Sequence, residues 1–431
     1  MRPEDLDQYY GRIPATYGVE LQFLIPVLVE GQPDPHPDDG RQVLTVQPGT
    51  AEYEISRQVI DNVLIVLRGV ARVPAWKHLG GILPHARVIA AMEEESQSIA
   101  RRAQYSQWVV ESAPDLLLRR DPFEHHYTWI GVKIRSSKRD STLPGHFDPI
   151  ANAIVALRQY FRLRLAPSTS LMVHIGEKER DSDSYEMCPV WLRVFCTLWW
   201  FVETHVFLLS HHSRRINGKC LPLTRHSRLN TMNDEELAEE IEDGLQGADF
   251  AYLHERMHHI VPTCILSRRE RDEAEFIWRA KDTNALVHQL LVHKLELVAM
   301  DDTGRLEADA TLGRGSLGFQ GFCEGAQPNP SMHNDGETGT IEFRNMEGTL
   351  DPALILNWVI VLIRLFDLSR RGNTSDIMAI IEKSRGAYGG LPLLRDLGLE
   401  EQAAYFQNKV NHPNNISETF ENLFVDAYPH A

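Results

Sequence analysis

Four short stretches of the chain alternate apolar and polar residues, and each predicts a β-strand with one greasy face. In 17–29 (YGVELQFLIPVLV), Val19, Leu21 and Phe23 fall on one side and Glu20 and Gln22 on the other. In 127–137 (YTWIGVKIRSS), Ile130, Val132 and Ile134 oppose Lys133 and Arg135. In 168–177 (STSLMVHIGE), Leu171, Val173 and Ile175 oppose Ser170, Met172 and His174. In 339–352 (GTIEFRNMEGTLDP), Ile341 and Phe343 oppose Glu342 and Arg344, and a Gly turn leads straight into a helix.

Helical spacing predicts helices over 52–70, 88–112, 148–164, 188–210 and from Pro352 onward. The EEE-then-RR order in 88–112 suits a helix dipole. Asp148 and Asp351 serve as start signals, each followed by Pro in the first turn. MNDEELAEEIEDGL reads as a capped helix with Leu237, Ile241 and Leu245 along one side. EGQPDPHPDDGRQ (30–42) reads as an exposed loop. The region 211–300 is helix-prone, and 373–431 reads as small helices.

The pattern predicts an α+β fold, an antiparallel β-sheet covered by helices on one face and open on the other. If the four strands are neighbours, their polar faces merge into one floor of carboxylate, imidazole, guanidinium and ammonium groups. The competing expectation is an ordinary solvated sheet face.

Composition narrows the classes. A chain of 431 residues with 43% hydrophobic residues has ample core, and its net charge of −16 argues against a general nucleic-acid binder. The basic run SRRER (267–271) reads as a solvated face. The segment 188–210 imitates a membrane span, but Arg193, Glu203 and His205 interrupt it. One charge near a span centre costs about 2.5–3.5 kcal/mol, so a buried helix is expected instead. The segment 354–369 is too short to span and also carries charge. The start MRPEDLDQYYGR lacks the blocks of a signal peptide, and five cysteines form no CxxC pair. A cytoplasmic protein with reduced thiols is expected.

TIEFRNMEGTLDP followed by ILNWV resembles the signature segment of the amidoligase family, carboxylate–amine ligases related to glutamine synthetase and glutamate–cysteine ligase. YGVEL, LMVHIG and SRRINGKCLPL (213–223) resemble the family's other segments in the same order. The match covers about residues 17–370, with 224–338 an unmatched, mostly helical and loop insertion, so 1–372 reads as one catalytic domain and 373–431 as a packed tail. The resemblance implies ATP- and Mg²⁺-dependent amide formation between a small-molecule or peptide carboxylate and an amine, through an acyl phosphate. It implies Glu20, Gln22, His174 and Glu342 as metal positions, Arg344 as the phosphate contact, and Arg214 and Asn217 as nucleotide or substrate contacts.

Three positions depart from the family pattern. Gln22 stands where a second acidic residue is usual, Lys133 where another is usual, and Met172 where a first histidine is usual. Thioether sulfur is a poor ligand for magnesium and an ammonium repels it. Lys133 either supplies the charge of a lost ion, or the site is degenerate and binds without ligase turnover. A separate motif, HERMH (254–258), satisfies H-E-x-x-H, with His254 and His258 as zinc ligands, Glu255 as base and Glu273 or Glu275 as a third ligand, and carries the alternative of a zinc hydrolase. GRGSLGFQG (313–321) is Gly-rich without the Lys-Ser/Thr of a phosphate loop and reads as flexible.

Overall fold

The computed structural model describes residues 14–77, 107–116, 127–177, 189–216, 218, 220–292, 297–300, 306–309, 315–320, 340–411 and 424–426. In chain order the first elements are β1 (Ala15–Val29), β2 (Leu44–Val46), α1 (Glu52–Gly69), β3 (Ala75–Lys77), β4 (Trp108–Ser112), β5 (Thr128–Arg135), β6 (Arg139–Asp140), α2 (Asp148–Tyr160) and β7 (Ser170–Glu177). Then come α3 (Pro189–Val206), α4 (Leu223–His226), α5 (Arg228–Thr231), α6 (Asp234–Asp243), α7 (Gly247–Ile260), α8 (Arg268–Arg279) and α9 (Thr283–Leu290). β8 (Leu297–Met300), β9 (Leu306–Asp309), β10 (Leu317–Gln320), β11 (Thr340–Glu347), α10 (Pro352–Arg371), α11 (Thr374–Ser384), α12 (Gly390–Asp396) and α13 (Glu400–Asn411) complete the described elements.

The fold is mixed α and β, with a nine-stranded sheet of order β10-β11-β7-β1-β5-β4-β3, β2 and β6 pairing β1 off that path. Most pairings among the described residues are antiparallel; β1 with β2 and β3 with β4 are parallel. The chain forms two compact units. The N-terminal unit takes Thr16–His174, Glu347–Val359 and Asn411–Ala431; the helical unit takes Met1–Ala15, Ile175–Met346 and Ile360–Val410.

In the N-terminal unit, β1 and β5 run antiparallel with Glu20 opposite Arg135, Gln22 opposite Lys133 and Phe23 opposite Val132. Residues at opposed positions share a face, so the apolar side of this ladder is Leu21, Phe23, Val132 and Ile134, all buried. Helix α1 supplies its cover: Ile55, Val59, Ile60, Val63 and Leu67 recur at helical spacing, are buried, and the helix packs on β3, β4, β5 and α2. Gly131 on β5 has a local reason, since a Cβ there would lie 2.0 Å from the Ala113 carbonyl oxygen. The C-terminal residues Phe424–Asp426 are held in this unit by backbone: Val425 N–H donates to the Leu163 carbonyl (2.7 Å), and Arg158 Nε donates to the Asp426 carbonyl (2.8 Å). Phe424 sits among His36, Tyr127 and Trp129, with the Arg41 and Arg162 guanidinium groups within 6 Å of its ring.

The helical unit is built round α3. Its Phe195 and Trp199 meet Phe343 of β11 edge to face, and Trp278 of α8 donates to Thr197. α3 also carries Glu203, fully buried, whose carboxylate accepts from the backbone N–H groups of Leu223 and Thr224 and so caps α4. A charge in this helix is therefore a cap, which explains why an otherwise apolar segment carries it. Among the described residues, two helices are long and apolar enough to cross a membrane; 83% of the Val190–Leu209 window and 56% of the Pro352–Arg371 window are buried within the protein.

Three sequence expectations change. The 88–112 helix is contradicted where it is described, because Trp108–Ser112 forms β4, a short ladder partner of β3 and β5; residues 88–106 lie outside the described residues. Part of the Gly-rich stretch is β10, which pairs with β11 and sets Gly318 opposite Glu342. The open polar floor is also corrected. β1 is buried almost along its whole length, and Glu20 and Glu342 are only 3% and 2% exposed. Their polar groups turn to neighbouring side chains, as burial requires.

Candidate functional site

The expected site residues fall in two clusters, one in each unit. In the N-terminal unit the ladder brings Glu20 and Gln22 of β1 beside Lys133 and Arg135 of β5, and β4 adds Glu111, opposite Lys133. The Lys133 ammonium lies between two carboxylates, 3.8 Å from Glu20 Oε1 and 3.5 Å from Glu111 Oε1. Arg135 pairs with Glu111 at 2.8 Å. Gln22 is held at both ends, its amide donating to Glu20 (3.3 Å) and its carbonyl accepting from Ser170 Oγ (2.8 Å). Two carboxylates thus meet two fixed cations. His174 is half-buried on β7, four residues beyond Ser170 and so about 13 Å farther along that strand. Gln22 is met by Ser170, not by His174. Met172 between them is buried.

In the helical unit, Glu342 and Arg344 stand on one face of β11, as the alternation predicts, and engage each other. Arg344 Nε donates to Glu342 Oε1 (2.8 Å) and Nη2 to Oε2 (2.7 Å), a bidentate fork, while Nη1 donates to the Gly315 carbonyl (3.2 Å). Arg344 is 6% exposed. A Cβ on Gly318 would lie 2.4 Å from Arg344 Nη2 and 2.8 Å from Glu342 Oε2, so glycine leaves the room this pair fills. Arg214, from the 3-10 turn His212–Ile216, is fully buried and donates through Nη2 to the Arg344 carbonyl (2.6 Å). Asn217 lies outside the described residues. Nearby Cys220 is fully buried, and burial pushes its thiol up to about 11, against the pull of Arg214 and Arg344.

The HERMH motif lies on α7, also in the helical unit, and His254 and His258 do share a face. Glu273 does not join them. It is buried, accepting from Trp200 Nε1 (3.0 Å) and pairing with Arg269 (2.8 Å). Glu275 pairs with Arg279 (2.8 Å).

The donor chemistry tests the implied magnesium and nucleotide. A hard divalent ion takes several oxygen ligands, and an adjacent ammonium repels it. Glu20 already has Lys133 beside it, and both oxygens of Glu342 accept from Arg344, whose fork is then closed to phosphate. Among the described residues, no three His, Cys, Asp or Glu side chains gather for a metal. The residues as placed do not fit magnesium or a nucleotide phosphate. The sequence reading missed Glu111. Its signal is an acidic residue at the polar position of WVVES, but helical spacing also accommodates that stretch. No family model, no curated protein and no solved structure matches the chain.

Proposed function

We propose that the chain is a catalytically degenerate relative of the carboxylate–amine ligases, a cytosolic scaffold that binds an organic carboxylate or amine without ATP-driven amide formation. The observation that carries this reading is the closed Glu342–Arg344 fork, in which the family's metal and phosphate positions satisfy one another. The Lys133 bridge between Glu20 and Glu111 supports it, because a protein cation stands where the family pattern places a carboxylate. Phosphate release from ATP and Mg²⁺, with pooled amino acids and carboxylic acids, is expected to be absent in wild type and in Glu342→Gln alike. Release in wild type that is lost in Glu342→Gln overturns the proposal.

A second reading, ATP- and Mg²⁺-dependent ligation, has one observation on its side. Glu342 and Arg344 lie side by side on one strand face, the two opposite charges that a metal-bound phosphate calls for. Parting a buried pair costs about 3–5 kcal/mol, which nucleotide binding would have to supply. Lys133→Glu tests the charge-replacement idea within this reading. It is expected to raise the number of magnesium ions bound with nucleotide in calorimetry, and an unchanged stoichiometry counts against it.

A further inference from the structure

We propose that His254 and His258 form a two-imidazole chelate for a divalent late transition ion, copper(II) or nickel(II) in preference to zinc(II). Four residues apart on α7, they share a helix face, and their Nε2 atoms lie 3.0 Å apart. The rings meet nearly perpendicular, with centroids 4.2 Å apart and an interplanar angle of 85°. Without metal, the two nitrogens lie within hydrogen-bond distance of each other. Metal–imidazole bonds are about 2.0–2.1 Å long, so ligands at a right angle stand about 2.9 Å apart and tetrahedral ligands about 3.4 Å. The observed separation is that of a hydrogen bond and is short enough for both nitrogens to take adjacent positions on one ion, and two imidazoles completed by water suit copper(II) and nickel(II).

Both rings are already positioned. His254 packs against Phe250, with centroids 5.3 Å apart, and His258 Nδ1 lies 3.4 Å from Thr263 Oγ1. A contact on the far nitrogen that fixes the ring is a common support for a metal-bound histidine. His258 is exposed and His254 half-buried, so an ion reaches the pair from solvent. Since no third side chain among the described residues completes the set, water fills the remaining positions and the ion exchanges readily. The pair shares no residue with the Glu20–Lys133–Glu111 or Glu342–Arg344 clusters.

Nickel(II) chloride titrated into the purified protein by calorimetry, with copper(II) followed by electron paramagnetic resonance, tests the assignment. Wild type is expected to show one site per chain tighter than its other histidines provide, with two nitrogens coupled to the copper signal. His254→Gln or His258→Gln weakens that site at least tenfold, while His259→Gln leaves it unchanged. His258→Gln melts with wild type, because an exposed ring contributes little to the core. Absence of a stoichiometric site in wild type, its survival in the double variant, or equal loss in His259→Gln overturns the proposal.

Discussion

The Glu342–Arg344 pair is where a single residue matters most. A buried charge left alone loses its partner and keeps its desolvation, so removal of either member costs about 3–5 kcal/mol. Removing both costs less than the sum. In chemical denaturation, Glu342→Gln and Arg344→Met are each expected to destabilise, and the double variant to recover a coupling of about 1–3 kcal/mol. Simple additivity would show that the fork contributes nothing beyond its parts. Asp34 offers a second residue-scale test. The hydrogen bond from Arg162 and a further one from Tyr127 hold its carboxyl down at about 2. A depressed carboxyl stabilises fully above its unfolded value, about 3.9, and the contribution disappears as pH falls through the folded value. Wild type is therefore expected to lose melting temperature between pH 4 and pH 2 more steeply than Asp34→Asn. Parallel curves for the two proteins would remove Asp34 from that role.

At the scale of elements, the signals that were legible are those set by local chemistry. Asn233 caps α6, accepting from the Glu236 backbone N–H while the Glu236 side chain returns to the Asn233 N–H, as MNDEELAEEIEDGL implies. Ser267 and Glu270 do the same for α8 inside the run that reads as a charged, solvated face. Replacing a cap by alanine costs about 1 kcal/mol. Ser267→Ala is expected to lower stability by that amount in urea unfolding, with a smaller effect for Arg268→Ala, whose side chain is exposed. An equal effect for both would attribute the loss to surface charge. Alternation likewise identified β1, β5, β7 and β11, because a strand half covered by helices must alternate. It failed for β4, where three apolar residues in five precede an acidic one and too few positions separate a period of two from one of 3.6. It failed again for β10, whose four residues include a glycine kept for the Glu342–Arg344 pair. The burial of the polar face was illegible for another reason: period fixes which side a residue takes but not what covers that side.

At the scale of the whole molecule, the units are discontinuous along the chain, and sequence order alone gives no sign of it. Phe424–Asp426 belong to the N-terminal unit through partners from 36 to 164. That anchor is physically specific. Arg158, fully buried, donates from Nη1 to the Leu350 carbonyl (2.9 Å) and from Nε to the Asp426 carbonyl, so one guanidinium ties two late segments to α2. Arg41 reaches the Val425 carbonyl, and the Phe424 ring lies in an aromatic and cationic surround. Ending the chain at residue 411 leaves the Arg158 and Arg41 donors without these acceptors and exposes the faces of Tyr127 and Trp129. An unmet buried donor costs about 1–3 kcal/mol, more for a charged group, and the lost aromatic packing adds to it. The truncated protein is therefore expected to lose amide hydrogen-exchange protection first in α2 and β1. Phe424→Ala should reproduce a weaker version of the same pattern, because it removes the ring and keeps the backbone hydrogen bonds. Protection in α3 and α8, whose packing is internal to the helical unit, serves as the reference. Loss of protection in those helices before α2 would show that the C-terminal residues stabilise something other than the unit that holds them.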